Sequence, residues 1–135
     1  MIETHAIRLR GPWECQTNDG ELRRVHMPAG VVGILGGEDQ GRVACRRRFG
    51  CPTCLDPHER VWLVIERPAL SGEVDLNGGR LGSIRTAEPI TEFDITSLLR
   101  ERNDLALDFE LAATRAALPA DDNLLFADVR LEIRG

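Results

Sequence analysis

Apolar residues in this chain recur mostly with a period of two, in short runs separated by Gly, Pro, Asn and Asp, which is the pattern of half-buried strands joined by turns. Residues 104–111 put Leu105, Leu107, Phe109 and Leu111 on one side, and residues 127–134 do the same with Val129, Leu131 and Ile133. Residues 41–49 alternate Val43, Cys45, Arg47 and Phe49 against Ala44, Arg46 and Arg48, and Gly50 ends the run. Residues 61–65 form a continuous apolar strand, as expected of one buried on both faces, with Trp62 inside it. Val74 and Leu76 mark the next strand, and Asn77-Gly78-Gly79 turns the chain back through Leu81, because Asn and Gly accept positive φ.

Elsewhere the pattern is weaker. Residues 7–15 give two alternating pieces broken at Gly11-Pro12, and Asn18-Asp19-Gly20 makes a turn before residues 22–25, so an opening hairpin or meander is expected. Residues 30–41 are Gly-rich around an apolar centre, either a short buried strand or a connection. Residues 97–103 and 114–118 each suggest about one helical turn. About eight strands with almost no helix predict an all-β fold, a two-sheet antiparallel β-sandwich of jelly-roll or immunoglobulin type, which periodicity alone does not separate.

Three segments carry a resemblance. Val61-Trp-Leu, Val74-Asp-Leu-Asn-Gly-Gly-Arg-Leu-Gly and Phe93-Asp-Ile-Thr-Ser-Leu-Leu occur in that order. They are similar to the V-W-L, V-x-L-N-G-x-x-L-G and F-D-I-T-x-L-L series of the galactose-binding-like jelly-roll module of family-two glycoside hydrolases. The resemblance runs from residue 7 to about 111 and takes in the final strand. It implies a jelly roll without catalytic residues of its own, since the parent enzymes keep theirs in another domain. It also implies that a binding site, where present, lies on loops at one end of the sandwich.

The length of 135 residues fits one domain spanning 1–135, large enough to bury roughly two-thirds of its unfolded surface without disulfide or metal. A net charge of −5 argues against nucleic acid and anionic membrane as partners, both of which need a concentrated positive field. No leader pattern and no apolar stretch of spanning length is visible, so a cytoplasmic protein with cysteines held as thiols is expected. All seventeen basic residues are Arg.

Candidate chemistry is sparse. Cys51-Pro-Thr-Cys54 with His58 offers three ligands of a tetrahedral zinc site, the fourth having to come from Cys15 or His26. Cys45 is expected in the core, and loop cysteines without metal are the preferred reading. A thiol–disulfide catalyst needs the first cysteine at a helix N-terminus, whereas strands flank this pair. The acidic residues alternate with apolar ones like a solvated strand face, so no paired carboxylates for glycoside hydrolysis are expected, and no motif asks for a cofactor. For carbohydrate binding, Trp13 is the candidate stacking platform, the other aromatics falling at core-facing positions, and Arg85 and Glu88 on the 82–89 connection are the candidate polar groups. The expected function is a weak, non-catalytic carbohydrate-binding or carbohydrate-associated module. The alternative is a scaffold that docks a separately encoded protein.

Overall fold

The computed structural model describes residues 4–18, 20, 22–27, 42–52, 55–110 and 125–135. Ten strands lie among them: β1 (Thr4–Arg8), β2 (Trp13–Thr17), β3 (Arg23–Val25), β4 (Arg42–Gly50), β5 (Arg60–Glu66), β6 (Gly72–Leu76), β7 (Gly79–Ile84), β8 (Ile90–Asp94), β9 (Arg102–Glu110) and β10 (Asp128–Arg134). A 3-10 turn, η1 (Thr96–Leu98), is the helical piece among the described residues. The strands form two antiparallel sheets, ordered β1-β10-β5-β8 and β3-β2-β4-β9-β6-β7. The chain is therefore an all-β, two-sheet sandwich, with two more strands than the eight its pattern suggests.

Register explains why these sequences face each other. Opposed residues of an antiparallel pair share a face, so Cys15, Cys45, Leu107 and Val74 form one row across β2, β4, β9 and β6. Ile7, Leu131, Leu63 and Phe93 form a row across β1, β10, β5 and β8. The two inner faces build the core, in which Trp13 and Phe126 pack with ring centroids 5.6 Å apart. Gly82 of β7 brings the sheets together at one side, since a Cβ there would lie 2.7 Å from the Phe93 ring.

The outward face of the six-stranded sheet is a charge ladder. Arg42 pairs with Asp108 (3.0 Å) and Glu110 (3.5 Å), Arg46 with Asp104 (3.9 Å), and Arg80 with Glu73 (3.2 Å) and Asp75 (2.5 Å). Exposed pairs of this kind contribute about 0–1 kcal/mol each, so they fix register and solubility more than stability.

Several expectations change. β1 and β2 do not form a hairpin: β1 pairs with β10, and the chain crosses to the other sheet at the cis Gly11–Pro12 bond, where Gly11 takes φ 151°. The opening hairpin is β2–β3. Trp62 is not a core residue. It points outward from β5, half-buried, with the Arg134 guanidinium 4.8 Å from its ring centroid. Phe93 and Phe109 do face inward. The Asn77-Gly78 turn has φ values of 53° and 84°, the left-handed geometry its sequence predicts. The readings on residues 30–41 and 114–118 lie outside the described residues.

Candidate functional site

β4 leaves its sheet at Gly50 and β9 enters it at Arg102, with Arg48 opposite Asp104 and Phe49 opposite Asn103. The Cys51 N–H donates to the Glu101 carbonyl at 3.1 Å, holding the two segments together beyond the last pair. Between them opens a cleft of about 650 Å³, lined by Arg48, Phe49, Gly50, Glu101, Arg102, Asn103 and Asp104. That volume falls within the about 300–1,000 Å³ typical of small-molecule sites.

A buried amide stiffens one wall of this cleft. Asn103 Oδ1 accepts from the Arg100 N–H (2.9 Å) and from Asn77 Nδ2 (3.1 Å). Its Nδ2 donates to the carbonyls of Arg100 (2.9 Å) and Phe49 (3.4 Å). Asn77 extends the network by accepting the Asp104 N–H at 2.9 Å and donating to the Leu98 carbonyl at 3.2 Å. One network thus ties β4, the β6–β7 turn, η1 and β9 to a common frame. On it, Arg48 and Arg102 are exposed, and among the described residues neither guanidinium has an ion-pair partner. Phe49, on the inward side of β4, is half-buried and packs against the core.

A smaller cleft of about 210 Å³ adjoins, sharing Arg48 and Asp104 and adding Pro12, Glu14, Arg46 and Arg47. Arg47 is on the inward side of β4, as the alternation predicts, but near the strand's end, where it is half-buried. Its Nη1 donates to the Arg48 carbonyl, while its Nε and the Asp104 Oδ1 are buried without a hydrogen-bond partner.

The structure does not bring Trp13, Arg85 and Glu88 together. Trp13 is 0% exposed, and its Nε1–H donates to the Leu9 carbonyl at 2.6 Å. A ring with both faces packed offers nothing to a sugar, so the platform reading of Trp13 is corrected to a core residue. Arg85 and Glu88 are exposed on the β7–β8 connection, where the Glu88 N–H donates to the Arg85 carbonyl at 3.0 Å. That connection precedes β8, whereas the β4–β9 cleft lies beyond its far end, so the two regions occupy opposite ends of the sandwich.

Of the metal candidates, Cys51 is half-buried, His58 is exposed, and Cys54 lies outside the described residues. Of the two candidates for the fourth ligand, Cys15 is instead a core residue against Cys45 and His26 is exposed. Among the described residues no three His, Cys, Asp or Glu side chains converge on a metal position.

Among the described residues, the carboxyls with displaced pKa values are Asp94 and Glu132. Burial pushes Asp94 up, but hydrogen bonds from Thr96 and Arg60 outweigh it and hold the carboxyl below its usual range. Glu132 follows the same logic, with burial opposed by Arg134 and Arg130. Both are therefore stabilised as carboxylates, the reverse of what a general acid needs.

Sequence reasoning missed Arg48, Phe49 and Arg102. A faint signal was present in the Arg46-Arg-Arg triplet near the end of a strand, where alternation puts Arg46 and Arg48 on one side just before the strand stops at Gly50.

No protein-family model matches the chain, and no curated protein matches it in sequence. Solved structures do match in fold. An FMN-binding β-glucuronidase from Faecalibacterium prausnitzii L2-6 is 21% identical with a TM-score of 0.75, over 96% of this chain and 22% of its own. A Bifidobacterium dentium β-glucuronidase, complexed with coumarin-3-O-glucuronide, is 20% identical with a TM-score of 0.71, over 96% of this chain and 30% of its own. A calcium-binding mutant of Bacteroides uniformis β-glucuronidase 2 is 16% identical with a TM-score of 0.78, over 97% of this chain and 18% of its own. The chain thus spans less than a third of each of these enzymes, and what it shares with them is the fold of a family-two glycoside hydrolase β-sandwich.

Proposed function

We propose that the chain is a non-catalytic carbohydrate-binding module that takes its ligand in the β4–β9 cleft. The observation that carries this reading is the cleft itself: about 650 Å³ of open space between Arg48 and Arg102, whose guanidinium groups lack an ion-pair partner among the described residues, beside a half-buried Phe49. A guanidinium fork suits vicinal hydroxyls and carboxylates, and the face of an aromatic ring suits the apolar C–H face of a sugar ring. Two such cations, beside the carboxylates of Glu101 and Asp104 in the same lining, suit a sugar that offers both hydroxyls and a carboxylate, and the fold-mates named above are β-glucuronidases. Affinity is weak, because one partly covered Phe gives little stacking area.

The docking-scaffold alternative asks for a contiguous apolar patch. The exposed large apolar residues among those described are Ile7, Leu22, Ile90 and Leu98. Ile7 and Ile90 lie on β1 and β8, the two opposite edges of one sheet, which does not favour a single docking face.

The test is thermal melting with a panel of neutral and uronic sugars at tens of millimolar. Ligand at about 10 times a millimolar Kd adds about 1.4 kcal/mol, a shift of a few degrees for a domain of this size. A selective shift lost in Arg102→Ala but kept in Arg85→Ala supports the cleft. The reverse pattern moves the site to the Arg85–Glu88 loop, and no shift with any sugar removes the carbohydrate reading.

A further inference from the structure

Cys15 and Cys45 stand directly opposite each other on β2 and β4, so both side chains leave the same face and both enter the core. Both are free thiols with Sγ atoms 3.2 Å apart; Cys45 is 0% exposed and Cys15 3%. Opposed residues in an antiparallel pair have Cα atoms about 4.5 or 5.5 Å apart, depending on the type of pair. Either separation falls within the range of about 4.4–6.8 Å that a disulfide spans. Neither strand has to slide for the sulfurs to bond. We propose that Cys15 and Cys45 are an oxidisable pair, converted by a small hydroperoxide into a cross-strand disulfide that locks β2 to β4.

The two sulfurs are not equivalent. The hydrogen bond with Cys45 draws the Cys15 pKa down against its burial, whereas the bond with Cys15, burial and the nearby Cys15 and Asp108 charges push Cys45 well up. Cys15, the less enclosed of the two, is the attacking sulfur. Its thiol loses a proton, and the thiolate attacks one peroxide oxygen. The O–O bond breaks, leaving a Cys15 sulfenic acid and, once the leaving hydroxide takes up that proton, one water. The Cys45 sulfur then attacks Cys15 Sγ: the S–S bond forms, the S–O bond breaks, and the Cys45 proton leaves with the hydroxide as a second water. Two thiols have lost two electrons, and one peroxide has become two waters. Burial bars a bulky disulfide reagent from either sulfur, so the oxidant of this proposal is a small hydroperoxide.

The experiment uses the full chain and a Cys51→Ser/Cys54→Ser variant, which removes the competing loop pair. Each is treated with sub-millimolar hydrogen peroxide while folded, alkylated in denaturant, peptide-mapped by mass spectrometry, and melted with and without reductant. The expected result in both proteins is a linked Cys15–Cys45 peptide, a loss of about 2 Da for that pair, and a Tm higher by about 10 °C that reductant reverses. In Cys45→Ser, Cys15 is expected to stop at sulfenic acid, trapped by dimedone. Recovery of both cysteines fully alkylated, their over-oxidation to sulfinic acid, or a Cys51–Cys54 bond as the sole product overturns the proposal. Because the wild-type peptide map decides the matter alone, misfolding of Cys45→Ser does not shield it.

Discussion

A buried amide is tolerated where every donor and acceptor is answered, and Asn103 meets that condition with four bonds to Arg100, Asn77 and Phe49. Asn103→Ala is expected to cost about 2 kcal/mol, because it strands buried backbone groups, and to lower Tm by roughly 6–10 °C in a melt at neutral pH. None of this was legible in sequence, where Asn103 reads as the end of a helical turn: its partners come from three separated segments. Gly72 was similarly silent. A Cβ there would collide with the Asp108 carbonyl and lie 2.8 Å from the Phe109 Cα, so Gly72→Ala is expected to cost about 2–3 kcal/mol, read as a lower urea midpoint at unchanged m-value. Asp94 sets an acid limit. Its folded pKa is depressed, so its contribution is complete above the unfolded value of about 3.9 and disappears as pH falls through the lower folded value. Asp94→Asn should therefore melt below wild type at pH 7, and the gap should close towards pH 2.

Elements were easier to read than partners, because alternation fixes which side of a strand is apolar but not which sheet receives it. β4, β5, β6, β9 and β10 follow their periodicity closely, and the Asn77-Gly78 turn is fixed by its own residues. Gly78 takes φ 84°, with open space around a would-be Cβ, so Gly78→Ala isolates backbone strain from crowding. It should cost about 1–2 kcal/mol, measurable by urea denaturation. The assignment of β1 and β2 to different sheets was not legible, nor was the outward turn of Trp62. An apolar run implies burial on both faces, and β5 partly has it: outward-facing Val64 is 1% exposed. Its neighbours across the sheet, Arg130 on β10 and Glu92 on β8, belong to charge networks that also reach Glu66, Asp128, Glu132 and Arg134. Long side chains with apolar stems cover that face where the pattern alone implied another layer.

At the scale of the molecule, two sheets ordered β1-β10-β5-β8 and β3-β2-β4-β9-β6-β7 leave chemistry to the strand ends. The family resemblance led to the end bearing Arg85 and Glu88, while the geometry favours the other, where β4 and β9 part around Arg48 and Arg102. The difference follows from what each source contains. Loop composition shows which residues are polar, whereas a cleft and an unpaired guanidinium exist only once strands from distant parts of the chain have met. Among the described residues no helix is long and apolar enough to cross a membrane, and the outward face of the six-stranded sheet carries cations and anions in neighbouring rows.

The most direct test of the carbohydrate reading is an NMR titration of the ¹⁵N-labelled chain with a glucuronate-bearing disaccharide. Saturable amide shifts confined to residues 48–50 and 101–104, with a millimolar Kd, are the predicted result. Unmoved amides up to tens of millimolar would contradict the account, as would shifts confined to residues 85–89.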